Sequence, residues 1–269
     1  MTDPLYDPAV GLVNLGLALL LIGLVLILSW YKQLGLSREI GVATLRAVVQ
    51  LLLVVLIVVA VFESENLLLI VLVLAAMMGI AAVISAKRAM GIHRPLRITF
   101  PAISGSSSAV LLVLILLGVM PVTPEFLIPI GSMTVGASMI ACSLALNRFT
   151  GEIASNRAKI ETALCLGATP EEAVAPFTRE SVKASLIPSI DRLKALGVVV
   201  LPGAMSGMIV AGVDPIWAAE YQLVIMFLLF SAEAFTSVIA TGLARGALPL
   251  PYAGMSAAGS PETILQKSA

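Results

Sequence analysis

Long apolar runs alternate with short polar segments along the whole chain, and this alternation predicts seven membrane-crossing helices. The runs lie at about Ala9–Trp30, Gly41–Phe62, Leu67–Ser85, Ile98–Met120, Phe126–Leu146, Leu196–Val213 and Tyr221–Leu243. Each is close to the ~20 residues that cross the hydrocarbon of a bilayer. Pro202 interrupts the sixth run, where it removes a backbone donor and kinks or breaks the span. The polar segments between the runs form two sets. One, counting Arg46 near the inner end of the second run, holds every basic residue: Lys32, Arg38, Arg46, Lys87, Arg88, Arg94, Arg97, Arg148, Arg157, Lys159, Arg179, Lys183, Arg192, Lys194, Arg245 and Lys267. The other holds Asp3, Asp7, Glu63, Glu65, Glu125, Asp214 and Glu220 and no base. Basic loops stay cytoplasmic in polytopic membrane proteins. The pattern therefore predicts an outer N-terminus and an inner C-terminus.

The outer loops at 63–66 and 121–125 are turns, so the extra mass lies inside. Residues 86–97 make a basic loop, and 147–195 make the long polar segment. That segment predicts two amphipathic helices. The first covers about Gly151–Leu166, with Ile153, Ile160 and Leu164 on one side, and stops at Gly167. Thr169 is a good N-cap, Pro170 suits the first helical position, and Glu172 completes a capping box. The second helix carries Val174, Phe177, Val182 and Leu186 and is expected to end before Pro188. Such a hairpin at the inner face suits a partner's surface or the membrane interface. Small residues four apart recur in the spans, at Ala75 and Gly79, at Ala137, Ala141 and Ala145, and at Gly203 and Gly207. This spacing lets helices approach closely.

Composition agrees with a membrane protein. Of 269 residues, 59% are hydrophobic and 12% charged, with no net charge. A soluble domain of this size needs more surface charge. No basic patch with interleaved aromatics points to nucleic acid. The N-terminal MTDPLYDP lacks the positive leader of a signal peptide, so the first span is expected to remain in the protein. Cys142 falls in a span and Cys165 in the inner segment, too far apart for an expected disulfide, and two cysteines make no zinc signature.

Candidate chemistry gathers in two places. Around the broken sixth span, Pro202, Gly203, Met205, Ser206, Gly207 and Met208 are candidates to line a substrate path. Met205 and Met208 are soft thioether donors or core-filling side chains. Asp214 and Glu220 flank its outer mouth. In the seventh span, Glu233 is a carboxylate at membrane depth, which is costly and a functional candidate by default. Gln50, Ser104, Ser106, Ser107, Ser108 and Asn147 are further polar candidates to line a path, with nothing in the sequence to choose among them. His93 stands alone in the basic loop. The sequence shows no His/Cys/Asp cluster, so metal ligands are not identified. No catalytic motif is found, which argues against an enzyme, and no GxxxxGK[ST] phosphate loop occurs, so ATP hydrolysis would require a separate chain.

Three segments carry a resemblance: ETALCLGATPEEA from Glu161, SLIPSIDRLKALGVVVLPGAMSG from Ser185, and AGVDPIWAAEYQLVIMF from Ala211. They resemble the integral-membrane permease of a small bacterial ATP-binding cassette exporter family linked to iron export, with plant relatives linked to aluminium tolerance. The inner stretch LGLSREIGVATLRAVVQL and the span pattern extend the match over essentially the whole chain. The resemblance implies an all-α polytopic permease forming one domain over 1–269 in the cell inner membrane. Its coupling segment, at 147–195, would dock on a cytoplasmic ATPase. Glu161, Ala163, Leu164, Gly167 and Ala168 are similar to the core of the coupling motif, with Thr169 and Pro170 shaping its exit. The implied partners are the ATPase subunit, a second permease copy and membrane lipid, with a metal ion as cargo. This chain would bind no cofactor itself; ATP and magnesium would sit on the ATPase. A permease for a non-metal solute and a non-transporting scaffold for a cytoplasmic protein are the alternatives.

Overall fold

The computed structural model describes residues 8–64, 66–89, 91–92, 94–119 and 121–247. Asp3, Asp7, Glu65, His93 and Lys267, together with both chain ends, lie outside the described residues. Every described element is helical, in the order α1 (Pro8–Tyr31), α2 (Ser37–Ser64), α3 (Leu67–Arg88), α4 (Leu96–Leu116), α5 (Pro124–Ser155), α6 (Arg157–Cys165), α7 (Pro170–Ala195), α8 (Gly203–Val210) and α9 (Pro215–Gly246). Among the described residues, five helices are long and apolar enough to cross a membrane: α1, α3, α4, α5 and α9.

The chain divides into two compact units, Met1–Ser64 and Glu65–Ala269. In the first, α1 pairs with α2. Many of their described apolar side chains are exposed, Leu24 and Leu52 among them. That surface suits lipid rather than water.

In the second unit α5 and α9 form the most extensive pairing, with α3, α4 and α7 packed around them. Met78, Ile103, Leu146, Phe149 and Ala240 belong to its apolar core. Ala137, Ala141 and Ala145 are buried on α5, so this small-residue ladder serves packing within the chain. Gly131 does so most tightly, since a Cβ there would come within 2.6 Å of the Leu74 side chain on α3. Gly203 and Gly207 face open space instead.

Hydroxyl groups stitch the helices together. Thr99 donates to the Ala82 carbonyl (2.9 Å), joining α4 to α3. Ser85 donates to the Met139 carbonyl and meets Ser143, joining α3 to α5. Ser107 donates to Ser138, and Ser106 meets Thr236, joining α4 to α5 and α9. A hydroxyl buried away from water must find such a partner. Ser106 and Ser107, read as candidate path residues, are therefore spent on helix contacts.

Three boundaries depart from the sequence reading. The helix expected over 151–166 is split at Asn156: its first turns continue α5, and α6 starts afresh. The second inner helix does not end before Pro188 but runs to Ala195 through both Pro176 and Pro188. Packing outweighs the proline penalty here. Ser181, Ser185 and Ser189, four apart, form a buried small-residue face on α7, which packs against α5 and α9. Ser185 also donates to the Val182 carbonyl (2.8 Å) and to Ser237 of α9 (3.0 Å). The sixth span is not one helix. Only Gly203–Val210 is helical, and eight residues rise about 12 Å, well short of a bilayer.

Candidate functional site

The elbow between α6 and α7 is built by local chemistry. Gly167 adopts φ +94°, which L side chains rarely accept. Its N–H bonds to the Leu164 carbonyl (3.1 Å), and that of Ala168 to the Ala163 carbonyl (3.0 Å). These two bonds are the Schellman closure of a helix end. The chain then restarts at once. Thr169 caps α7, with the reciprocal bond from Glu172 also formed, and Pro170 takes the first turn. The Thr169 N–H, and then its hydroxyl, hold the Glu172 carboxyl below its usual range.

Ile160, Ala173 and Val174 form a small core beneath the elbow, joined by Ile153, Ala163, Leu164 and Phe177. Of the residues read as the coupling motif, Ala163 and Leu164 thus support the turn. Glu161, Gly167, Thr169 and Pro170 are exposed, and Ala168 is half-buried. The sequence reading missed Leu166, which is 84% exposed at the tip. An apolar residue directly before the helix-ending glycine was the available signal. Cys165 beside it is a free, exposed thiol, and Cys142 is free and buried.

From the elbow, α7 runs antiparallel along α9. Arg245 reaches Glu171 near one end (3.4 Å), Ser185 meets Ser237 further on, and Arg192 meets Glu233 beyond. Glu233 is 2% exposed, and its Oε1 lies 2.5 Å from Nη2 of Arg192. The same guanidinium nitrogen donates to Ser189 (3.2 Å). Glu233 is therefore not the unpaired carboxylate that its sequence context suggested. Arg192, grouped by sequence with the inner basic segments, lies about 18 Å along α9 from Arg245, counted from its partner Glu233 at 1.5 Å rise per residue. The buried carboxylate accounts for this position, because it requires a counter-charge.

Three residues after Arg192 the helix ends, at Ala195. Gly197 turns the chain at φ +76°. Its N–H bonds to the Val200 carbonyl (3.0 Å), and the N–H groups of Val199 and Val200 return to the Ala195 carbonyl. Val198 and Val199 project outward from this turn. Pro202 then caps α8, and its carbonyl accepts from the Ser206 N–H and hydroxyl. Met205, Ser206 and Met208 are half-buried on α8, which packs along α9. The carboxylate of Glu233 is engaged by α7, so the structure joins it to Arg192 rather than uniting it with the methionines in one ligand set. Among the described residues, no three of His, Cys, Asp and Glu gather closely enough to hold a metal ion.

The profile of the family described as "Uncharacterised protein family (UPF0014)" matches residues 12–248. The chain belongs to this family. Its relatives include "Probable iron export permease protein FetB" of Escherichia coli (strain K12). That protein is 35% identical over 84% of this chain and 88% of its own length. "UPF0014 membrane protein STAR2" of Oryza sativa subsp. japonica is 32% identical, over 87% of this chain and 82% of its own. "Protein ALUMINUM SENSITIVE 3" of Arabidopsis thaliana is also 32% identical, over 87% and 85%. No solved structure matches significantly. The family is thus one of membrane proteins, with a member named as a permease, and the apolar helices fit that description.

Proposed function

We propose that this chain is the membrane subunit of an ATP-binding cassette exporter that moves iron or another metal ion out of the cytoplasm. Two copies would act with two separate ATPase chains. The observation that carries the reading is the continuity of one element. α7 starts at an exposed, tightly capped elbow and ends near an ion pair, followed by a broken backbone. A turn that presents Leu166, Thr169 and Pro170 is shaped to enter a groove on a partner. Displacement of that turn would travel through α7 to residues 196–202.

In this reading the chain crosses the inner membrane seven times, with the N-terminus outside. The far part of α7, the 196–202 turn and α8 together form the sixth crossing. Irregular backbone at membrane depth is tolerated where protein or a water-filled cavity surrounds it, which makes 196–202 the natural wall of a path. Alternating exposure of that wall requires two states with different packing at the break, biased by ATP bound on the partner. The iron assignment is supported by the name of the Escherichia coli relative.

A second reading, a permease for a solute carrying an anionic group, draws on Arg192. Its side chain is 48% exposed beside the break, whereas the acid it faces is buried. The test is flux in proteoliposomes containing this chain and its ATPase, with iron, copper and zinc offered with and without ATP. ATP-dependent movement of iron away from the ATPase side is the expected result. ATP-dependent movement of anionic organic solutes without any metal would select the second reading. A complex that hydrolyses ATP but moves neither would overturn both.

A further inference from the structure

The turn between α1 and α2 holds a pocket of about 480 Å³ lined by Ser29, Trp30, Tyr31, Gln33, Gly35 and Ser37. We infer that this pocket binds the phosphate of an anionic phospholipid headgroup. Three independent features point to that chemistry.

First, Ser29 is 2% exposed and lines the pocket, yet its hydroxyl has no hydrogen-bond partner. A buried hydroxyl without a partner is costly. Turning that side chain toward the pocket would let a phosphate oxygen accept its proton and remove that cost.

Second, the turn gathers donors and positive charge. The chain leaves α1 with Gln33 at φ 51° and Gly35 at φ 70°, then starts α2 at Ser37. The first N–H groups of a helix have no intrahelical partner and favour an anion. Lys32 lies 5.9 Å from the ring centre of Tyr31 and Arg38 lies in the first turn of α2. Glu39, in the same turn, is the opposing charge.

Third, the depth fits a headgroup. α1 is apolar and uncharged from Leu15 to Leu28, and it ends in Trp30 and Tyr31, which are 76% and 74% exposed. Exposed Trp and Tyr at the end of an apolar helix mark the level of lipid headgroups. The exposed Leu24, Ile27 and Leu28 below them offer a surface for acyl chains. A free phosphate would use the same donors but gain nothing from that surface.

The test uses the full-length chain, purified and stripped of lipid, with binding followed by native mass spectrometry. The probes are phosphatidylglycerol, phosphatidylcholine and inorganic phosphate. The expected order places phosphatidylglycerol first. With both Lys32→Gln and Arg38→Gln, its affinity should fall roughly thirtyfold, from about fivefold per basic residue near a membrane surface. Arg157→Gln with Lys159→Gln should leave it unchanged. Ser29→Ala should weaken binding several-fold without lowering the lipid-free melting temperature, because the native hydroxyl is unpartnered in that state. Unchanged affinity in the Lys32/Arg38 variant would overturn the site. Equal affinity for phosphatidylcholine would overturn its charge preference. Displacement of the lipid by millimolar inorganic phosphate would reassign the site to a free anion.

Discussion

The guanidinium of Arg192 and the carboxylate of Glu233 lie 2.5 Å apart, yet they differ sharply in surroundings. The arginine side chain is 48% exposed and the glutamate 2%. The two halves of the pair are therefore unequal in what their loss would leave behind. Arg192→Gln strands a buried carboxylate and is expected to cost about 3 kcal/mol. Glu233→Gln leaves a guanidinium that is half exposed rather than enclosed, so it should cost clearly less. The double variant should recover most of the loss, because no charge is left unpaired. Chemical unfolding of the four proteins in one detergent checks this order. Equal costs for the two single variants would contradict the asymmetry.

Gly167→Val should separate docking from folding. A Cβ there meets no neighbour, but φ +94° is hostile to a β-branched side chain. The strain falls on an exposed elbow, so the helical bundle should survive. On the proposed function, ATP-driven flux is expected to fall while the partner's ATPase activity persists. Cys165 reports the same event independently: alkylation of this exposed thiol should slow when the ATPase binds, and slow less in the variant.

The capping box makes the start of α7 acid-sensitive. Glu172 has its carboxyl lowered in the folded state, so its ionised form favours the cap. That stability is fully present above the ordinary carboxylate range and is lost as pH falls through the lowered folded value. Amide exchange at Glu172 and Ala173 should therefore show a loss of protection at acid pH. Thr169→Ala should reduce protection there by roughly fivefold at neutral pH and flatten the pH dependence.

At Gly131 the constraint is space. Leucine there would drive into Leu74 across the α3–α5 contact and is expected to cost about 1–3 kcal/mol. Leu74→Ala combined with Gly131→Leu should restore part of that, measured as melting temperature in detergent.

Ser107→Ala should barely change transport. Its hydroxyl is 3.0 Å from Ser138 in a buried helix contact, and such bonds contribute only about 0.6 kcal/mol on average. A large loss of flux with unchanged stability would put Ser107 on the path after all.

Much of this was legible from residue pattern. The apolar runs located α1, α3, α4, α5 and α9, because each is a continuous stretch whose character needs no partner to define it. Gly167, Thr169, Pro170 and Glu172 predicted the elbow, since Schellman ends and capping boxes are decided within six residues. What escaped depends on contacts far apart in sequence. Nothing local says that a serine face will carry α7 past Pro188. Nothing near Glu233 announces that Arg192 will meet it. The break at Gly197 lay within an apolar run that reads as an ordinary span, and only Pro202 hinted at the interruption.

Pro188 gives α7 a further property. With no N–H at that position, the Ala184 carbonyl lacks its usual rung, and bending there costs less than elsewhere along the rod. The seven residues from Ser189 to Ala195 form an arm roughly 10 Å long. A kink of about 20° at such a site is ordinary. It would swing the tip by roughly 3–4 Å, about the width of a water molecule. Breaking the Arg192–Glu233 pair, which ties this arm to α9, would therefore change what fits past its end.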